Sequence, residues 1–141
     1  MKVIRPDHPE EWLDSMTVAL CLQADGAMVA RFNSAAGAAV GGPGHFAIFV
    51  EEDEEIVFAR VSEKKSYSIR LRLEGSSSKR TPAYRMNLGI ICRAAPWLKE
   101  FFGFKYPAVI RNGGLSVNLT SEFTTRIKPS DSHSHPILGD L

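Results

Sequence analysis

From residue 17 onward the chain alternates apolar and polar residues in short runs, the period expected of strands with one face in a core. Val18, Leu20 and Leu22 alternate with Thr17, Ala19 and Cys21, which predicts a strand over 17–22. Asp25-Gly26 follows, a hairpin signal because both residues tolerate positive φ. The return strand over 27–32 carries Met28, Ala30 and Phe32 on one face. Asn33 and Ser34 can accept hydrogen bonds from the free N–H groups of a short Ala-rich helix over 35–40, which Gly37 weakens. Gly41-Gly42-Pro43-Gly44 ends that helix. The almost wholly apolar run 46–50 predicts a strand buried on both faces. An acidic turn, Glu51 to Glu55, then leads to a partner strand over 56–61.

A second stretch, 66–119, repeats that order. Tyr67, Ile69, Leu71 and Leu73 face one way, Ser68, Arg70 and Arg72 the other. A polar Gly/Ser/Pro segment over 74–82 reads as a mobile loop carrying Lys79 and Arg80. Tyr84, Met86 and Leu88 form the next inward row, with Arg85 and Asn87 outward, so Arg70, Arg72 and Arg85 share one face of a hairpin. Pro96 opens a short helix over 96–102 that Gly103 closes, with Trp97 and Phe101 on its core face. Strands over 106–111 and 115–119 flank Asn112-Gly113-Gly114, another hairpin signature. The predicted organisation is an N-terminal arm over 1–16, a single domain over 17–119 built from units 17–61 and 66–119, and a flexible C-terminal tail over 120–141. In the arm, residues 7–13 read as one helical turn that Trp12 and Leu13 anchor to the body.

Composition narrows the class. In 141 residues, 44% are hydrophobic, enough for a core, and no run of ~18 apolar residues predicts a transmembrane helix. Charge and prolines in the first 14 residues leave no place for a signal-peptide apolar region. Cys21 and Cys92 read as two buried thiols rather than a disulfide framework or a metal site, which makes a cytoplasmic setting the default. His133 and His135 on the tail lack a carboxylate partner and make a poor metal site.

The net charge of +1 is unevenly spread. Residues 1–55 hold 3 basic and 10 acidic side chains, residues 56–111 hold 12 and 3, and the remainder holds 2 and 3. A basic middle segment suits phosphate contacts, or neutralises the acidic half across a packed interface. No phosphate loop, nucleophile elbow, zinc-binding motif or dinucleotide fingerprint is present, so no enzyme, cofactor or small-molecule substrate is predicted.

The two units match in order. Asn33-Ser34-Ala35-Ala36 leads to Val40-Gly41 in the first, and Pro96-Trp97-Leu98 leads to Phe102-Gly103-Phe104 in the second. This resembles the SpoVT/AbrB swapped-hairpin family, in which two such units interlock into one barrel. The layout is also similar to that of small uncharacterised bacterial and phage proteins. The resemblance implies a mainly β fold with short helices, a pseudo-two-fold β-barrel of two ββαββ units in one chain. It also implies binding of double-stranded DNA by basic side chains on the first hairpin of each unit: Arg70, Arg72, Lys79, Arg80 and Arg85 in the second unit. The first unit departs from the pattern: its hairpin offers only Arg31, and its outward row of Ala19, Cys21 and Val29 is small and apolar, a surface for Trp12 or a partner to cover. The reading is a nucleic-acid-binding regulator or antitoxin-like module. The alternative is a non-enzymatic protein-interaction or assembly module, phage-associated, whose partner is another protein or a second copy in a homodimer.

Overall fold

The alternating rows become strands because each places one apolar face against the others. The computed structural model describes residues 15–74, 82–111 and 113–127. Along the chain run β1 (Thr17–Leu22), β2 (Met28–Phe32), α1 (Ser34–Ala39), β3 (Gly44–Glu51), β4 (Glu55–Val61), β5 (Ile69–Glu74) and β6 (Ala83–Asn87). Then follow α2 (Gly89–Ala94), a 3-10 helix (Pro96–Phe101), β7 (Phe104–Arg111), β8 (Gly114–Asn118) and the two-residue β9 (Thr125–Arg126).

All pairings are antiparallel, in the order β1-β2-β6-β5-β3-β4-β8-β7, and β7 returns to β1, so eight strands close into a barrel. Closure removes most of the sheet edge. β9 pairs with Phe104 and Lys105 of β7, so strand structure extends past the predicted end of the domain at 119.

The inward rows fill the barrel. Val18, Leu20, Phe32, Phe46, Ile56, Phe58, Leu71, Leu115 and Val117 are fully buried. Phe32 and Phe58 meet edge to face with ring centroids 5.0 Å apart, an arrangement favoured by the ring quadrupoles. Tyr106 sits in the same core and donates its hydroxyl to the Phe101 carbonyl at 2.5 Å. Burial pushes its pKa up to about 12.

Asn33 fixes the entry to α1. Its Oδ1 accepts from the Ala36 and Thr17 N–H groups, and its amide donates to the Ser15 carbonyl. The helix exit is held from β4. Arg60 of β4 donates to the carbonyls of Val40, Gly42 and Pro43, and its guanidinium lies 5.5 Å over the Phe46 ring. These bonds satisfy carbonyls that a short helix leaves without partners.

Five sequence expectations change, one of them at the end of β5, where Leu73 is 44% exposed although its row points inward. Run 46–50 is not buried on both faces: Phe46 and Ala47 are, but Phe49 and Val50 are 60% and 40% exposed. They project where β3 has run past its neighbour β5, which pairs only with Gly44, His45 and Phe46. Tyr67 does not join an inward row and is exposed. A turn closed by Ser68, which donates its N–H and Oγ–H to the Lys65 carbonyl, delays the start of β5 to Ile69. Helix α2 was not predicted, because Gly89 and β-branched Ile90 and Ile91 give a weak helical signal. Leu22, at the hairpin end of β1, is exposed although its row points inward. Residues 1–14 of the predicted arm and 128–141 of the predicted tail lie outside the described residues, His133 and His135 among them.

Gly37 has a packing reason. A Cβ there would come within 2.1 Å of two carbons of the Tyr84 ring, which packs against the middle of α1. Gly→Ala in a helix ordinarily stabilises by about 1 kcal/mol. Here the ring must move, so we expect Gly37→Ala to destabilise by about 1–3 kcal/mol, read as a lower urea midpoint. An unchanged or raised midpoint would show that Tyr84 yields freely.

Candidate functional site

Outward rows are set by the same alternation that fills the core. Arg72 of β5 lies directly opposite Arg85 of β6, and Arg85 lies opposite Arg31 of β2. Arg31 faces Ala19 of β1, which in turn faces Lys105 of β7. One outer row therefore crosses five strands with four cations and a single small residue. Arg70, two positions before Arg72, faces His45 of β3. Arg70, Arg72 and Arg85 line a groove of about 440 Å³ together with Ile69 and Asn87.

The cations divide into two kinds. Arg31 is held: its Nε donates to Glu74 Oε1 at 2.7 Å, and Glu74 is buried. Arg85 is half-buried and donates to Gln23 Oε1 at 3.2 Å. Arg70 and Arg72 are exposed and form no ion pair with a described residue. Like charges directly opposite on a sheet repel, so Arg72 beside Arg85 raises the energy of the unliganded face and suits an anion.

Of the five residues singled out from the sequence, the fold brings Arg70, Arg72 and Arg85 to one groove. Lys79 and Arg80 belong to the β5–β6 connection and lie outside the described residues. Sequence reasoning missed Glu74 and Gln23, whose roles depend on pairings between distant strands. It also missed a second depression on the barrel, of about 380 Å³, beside the acidic turn. There Glu55 accepts from the buried Ser116 hydroxyl and from Arg111 Nη2 at 3.1 Å.

On the β1–β2 side the outward residues Ala19, Cys21 and Val29 are buried, as their small apolar character predicts. Burial raises the pKa of the Cys21 thiol, against the pull of Arg31 and Lys105. The Cys92 thiol is raised for the same reason. Both cysteines are free. No group of three or more His, Cys, Asp or Glu among the described residues is arranged to hold a metal ion. No helix among the described residues is long and apolar enough to cross a membrane.

These features define a closed eight-stranded antiparallel β-barrel with an arginine-lined groove on its β5–β6 face. No protein-family model matches the chain, and neither a curated protein nor a solved structure does.

Two outcomes follow from this geometry. Glu74→Gln removes the carboxylate from beneath Arg31 and should lower stability by about 1–3 kcal/mol, measured by denaturant titration; no change would mean that Arg31 is held adequately without it. Cys21 and Cys92 should react with a thiol reagent at neutral pH only after denaturant is added, because a buried, protonated thiol is a poor nucleophile. Stoichiometric labelling of the native protein at the rate of a free thiol would contradict their burial.

Proposed function

We propose that the chain is a nucleic-acid-binding module, a regulator or antitoxin-like protein, that grips the phosphate backbone with the β5–β6 face. The observation that carries this reading is the groove in which Arg70, Arg72 and Arg85 converge, two of them exposed and without an ion-pair partner among the described residues. Guanidinium groups bind phosphate oxygens through two parallel N–H donors. Contacts of this kind give affinity and orientation without sequence preference.

We further infer a pseudo-two-fold swapped-hairpin barrel of the SpoVT/AbrB kind. The pairings support it. Exchanging β1, β2, β3 and β4 for β5, β6, β7 and β8 turns β1–β2 into β5–β6, β3–β4 into β7–β8, and β3–β5 into β7–β1. It leaves β2–β6 and β4–β8 as they are. In this frame β5–β6 is the first hairpin of the second unit, the position from which that family's resemblance implies DNA contact. The first unit's hairpin contributes Arg31, which Glu74 already engages, so the reading is of a one-sided binder. An assembly role is the second reading, favoured by the exposed Phe49, Val50, Val109 and Ile110.

The test is a titration of labelled random-sequence duplex at low and moderate salt, beside Arg70→Ala/Arg72→Ala. Affinity should fall steeply with salt. The double variant should bind more weakly, with a log–log salt slope shallower by roughly 2 if each arginine neutralises one phosphate. No binding at low salt would overturn the reading. Equal binding by the variant would move the contact away from this groove.

A further inference from the structure

A closed barrel should have no free edge, but this one is closed with offset strands. On the side of β3 facing β5, pairing stops at Phe46, and no described strand pairs with the remaining five residues, Ala47 to Glu51. The reason lies in the Lys65–Ser68 turn, which carries the chain into β5 too late to cover them. On the other side the same five residues are fully paired with β4. A paired strand still directs every second N–H and C=O away from its partner, so this edge presents donors and acceptors in register. Phe49 and Val50 stand on its two faces, both exposed.

We propose that this edge pairs with the same edge of a second copy of the chain, antiparallel about Phe49, to form a two-fold dimer. Such strand addition draws affinity from main-chain hydrogen bonds and specificity from side chains. The choice of partner follows from charge. With Phe49 opposite Phe49, Ala47 meets Glu51 of the second copy. The second copy's β3 then lies end to end with β5 on one edge of the first copy's β3. Its acidic turn, Glu51 to Glu54, falls beside Lys64 and Lys65 ahead of β5. All four acids and Lys64 are exposed, and the local Lys65–Glu63 contact, at 3.4 Å, is solvated. The two-fold repeats this match on the other side, so one pairing brings two acidic turns to two lysine pairs. The edge otherwise carries no lysine or proline to deter pairing. The proposal does not depend on the nucleic-acid reading.

The experiment is sedimentation velocity over a concentration series on the full chain and three variants: Phe49→Lys, Glu51→Lys/Glu52→Lys, and Lys64→Glu/Lys65→Glu. The wild type should dimerise, and each variant alone should be roughly a hundredfold weaker, since every variant places like charges or a lysine at the pairing edge. An equimolar mixture of the two charge-reversed proteins should recover the dimer, because each then meets the opposite charge. Glu51, Glu52 and Lys64 are exposed and Lys65 is partly exposed, so folding is retained and is checked by thermal denaturation. A wild type that stays monomeric up to its solubility limit overturns the proposal. So does a dimer that survives all three variants, which would be held by another face such as the exposed Val109 and Ile110 of β7. Failure of the mixture to recover the dimer overturns it equally.

Discussion

Every hairpin of this barrel depends on a strand from the other half of the chain. β2 is flanked by β1 and β6, β4 by β3 and β8, and no hairpin meets itself around the ring. The inward rows of both halves fill one core: Phe32 of β2 meets Phe58 of β4 edge to face, and Leu71 of β5 and Leu115 of β8 are fully buried in the same cluster. A hairpin alone would leave its apolar row in water, and a two-stranded ribbon is marginal without further strands. The cooperative unit is therefore the closed ring, and the rest follows from how the ring closes.

Closure fixes the outer surface as firmly as the inner one. With a period of two, once Leu71 and Met86 point inward, Arg72 and Arg85 must point outward and face each other. The same logic places Phe49, Val57, Ser116 and Val109 in one outer row across β3, β4, β8 and β7. One side of the barrel thus carries the row of cations, and the other carries apolar and hydroxyl side chains beside the Arg111–Glu55 ion pair. The buried Glu74 engages Arg31, whereas Arg70 and Arg72 are exposed and form no ion pair with a described residue, so β5 carries the exposed arginines of this face.

Much of this was legible because period-two alternation is a local signal. The rows Val18/Leu20, Tyr84/Met86/Leu88 and Leu115/Val117, the Asn33 cap and the shared face of Arg70, Arg72 and Arg85 all came from spacing alone. What was not legible depends on partners remote in the chain. Glu74 and Arg31 are 43 residues apart, and Ser116 and Glu55 are 61 apart. The exposure of Phe49 and Val50 depends on where β5 begins, which Ser68 sets through a hydrogen-bonded turn that hydropathy does not report. Gly37 looked like a flaw in a helix because only the fold lays the Tyr84 ring on it.

The offset that leaves β3 uncovered also bears on the one-sidedness of the arginine groove. A protein that reads a two-fold site needs two equivalent contact surfaces, and the β1–β2 hairpin does not supply the second. β5 is the strand that follows the free segment of β3 on the same edge. An antiparallel pairing has its dyad perpendicular to the sheet, which keeps both copies' outer faces on one side. Two copies joined along β3 therefore present Arg70 and Arg72 twice, on the same surface and on either side of the dyad. In the proposed dimer a second chain would provide the symmetry that the chain's own first hairpin lacks, through an edge left uncovered because β5 starts at Ile69.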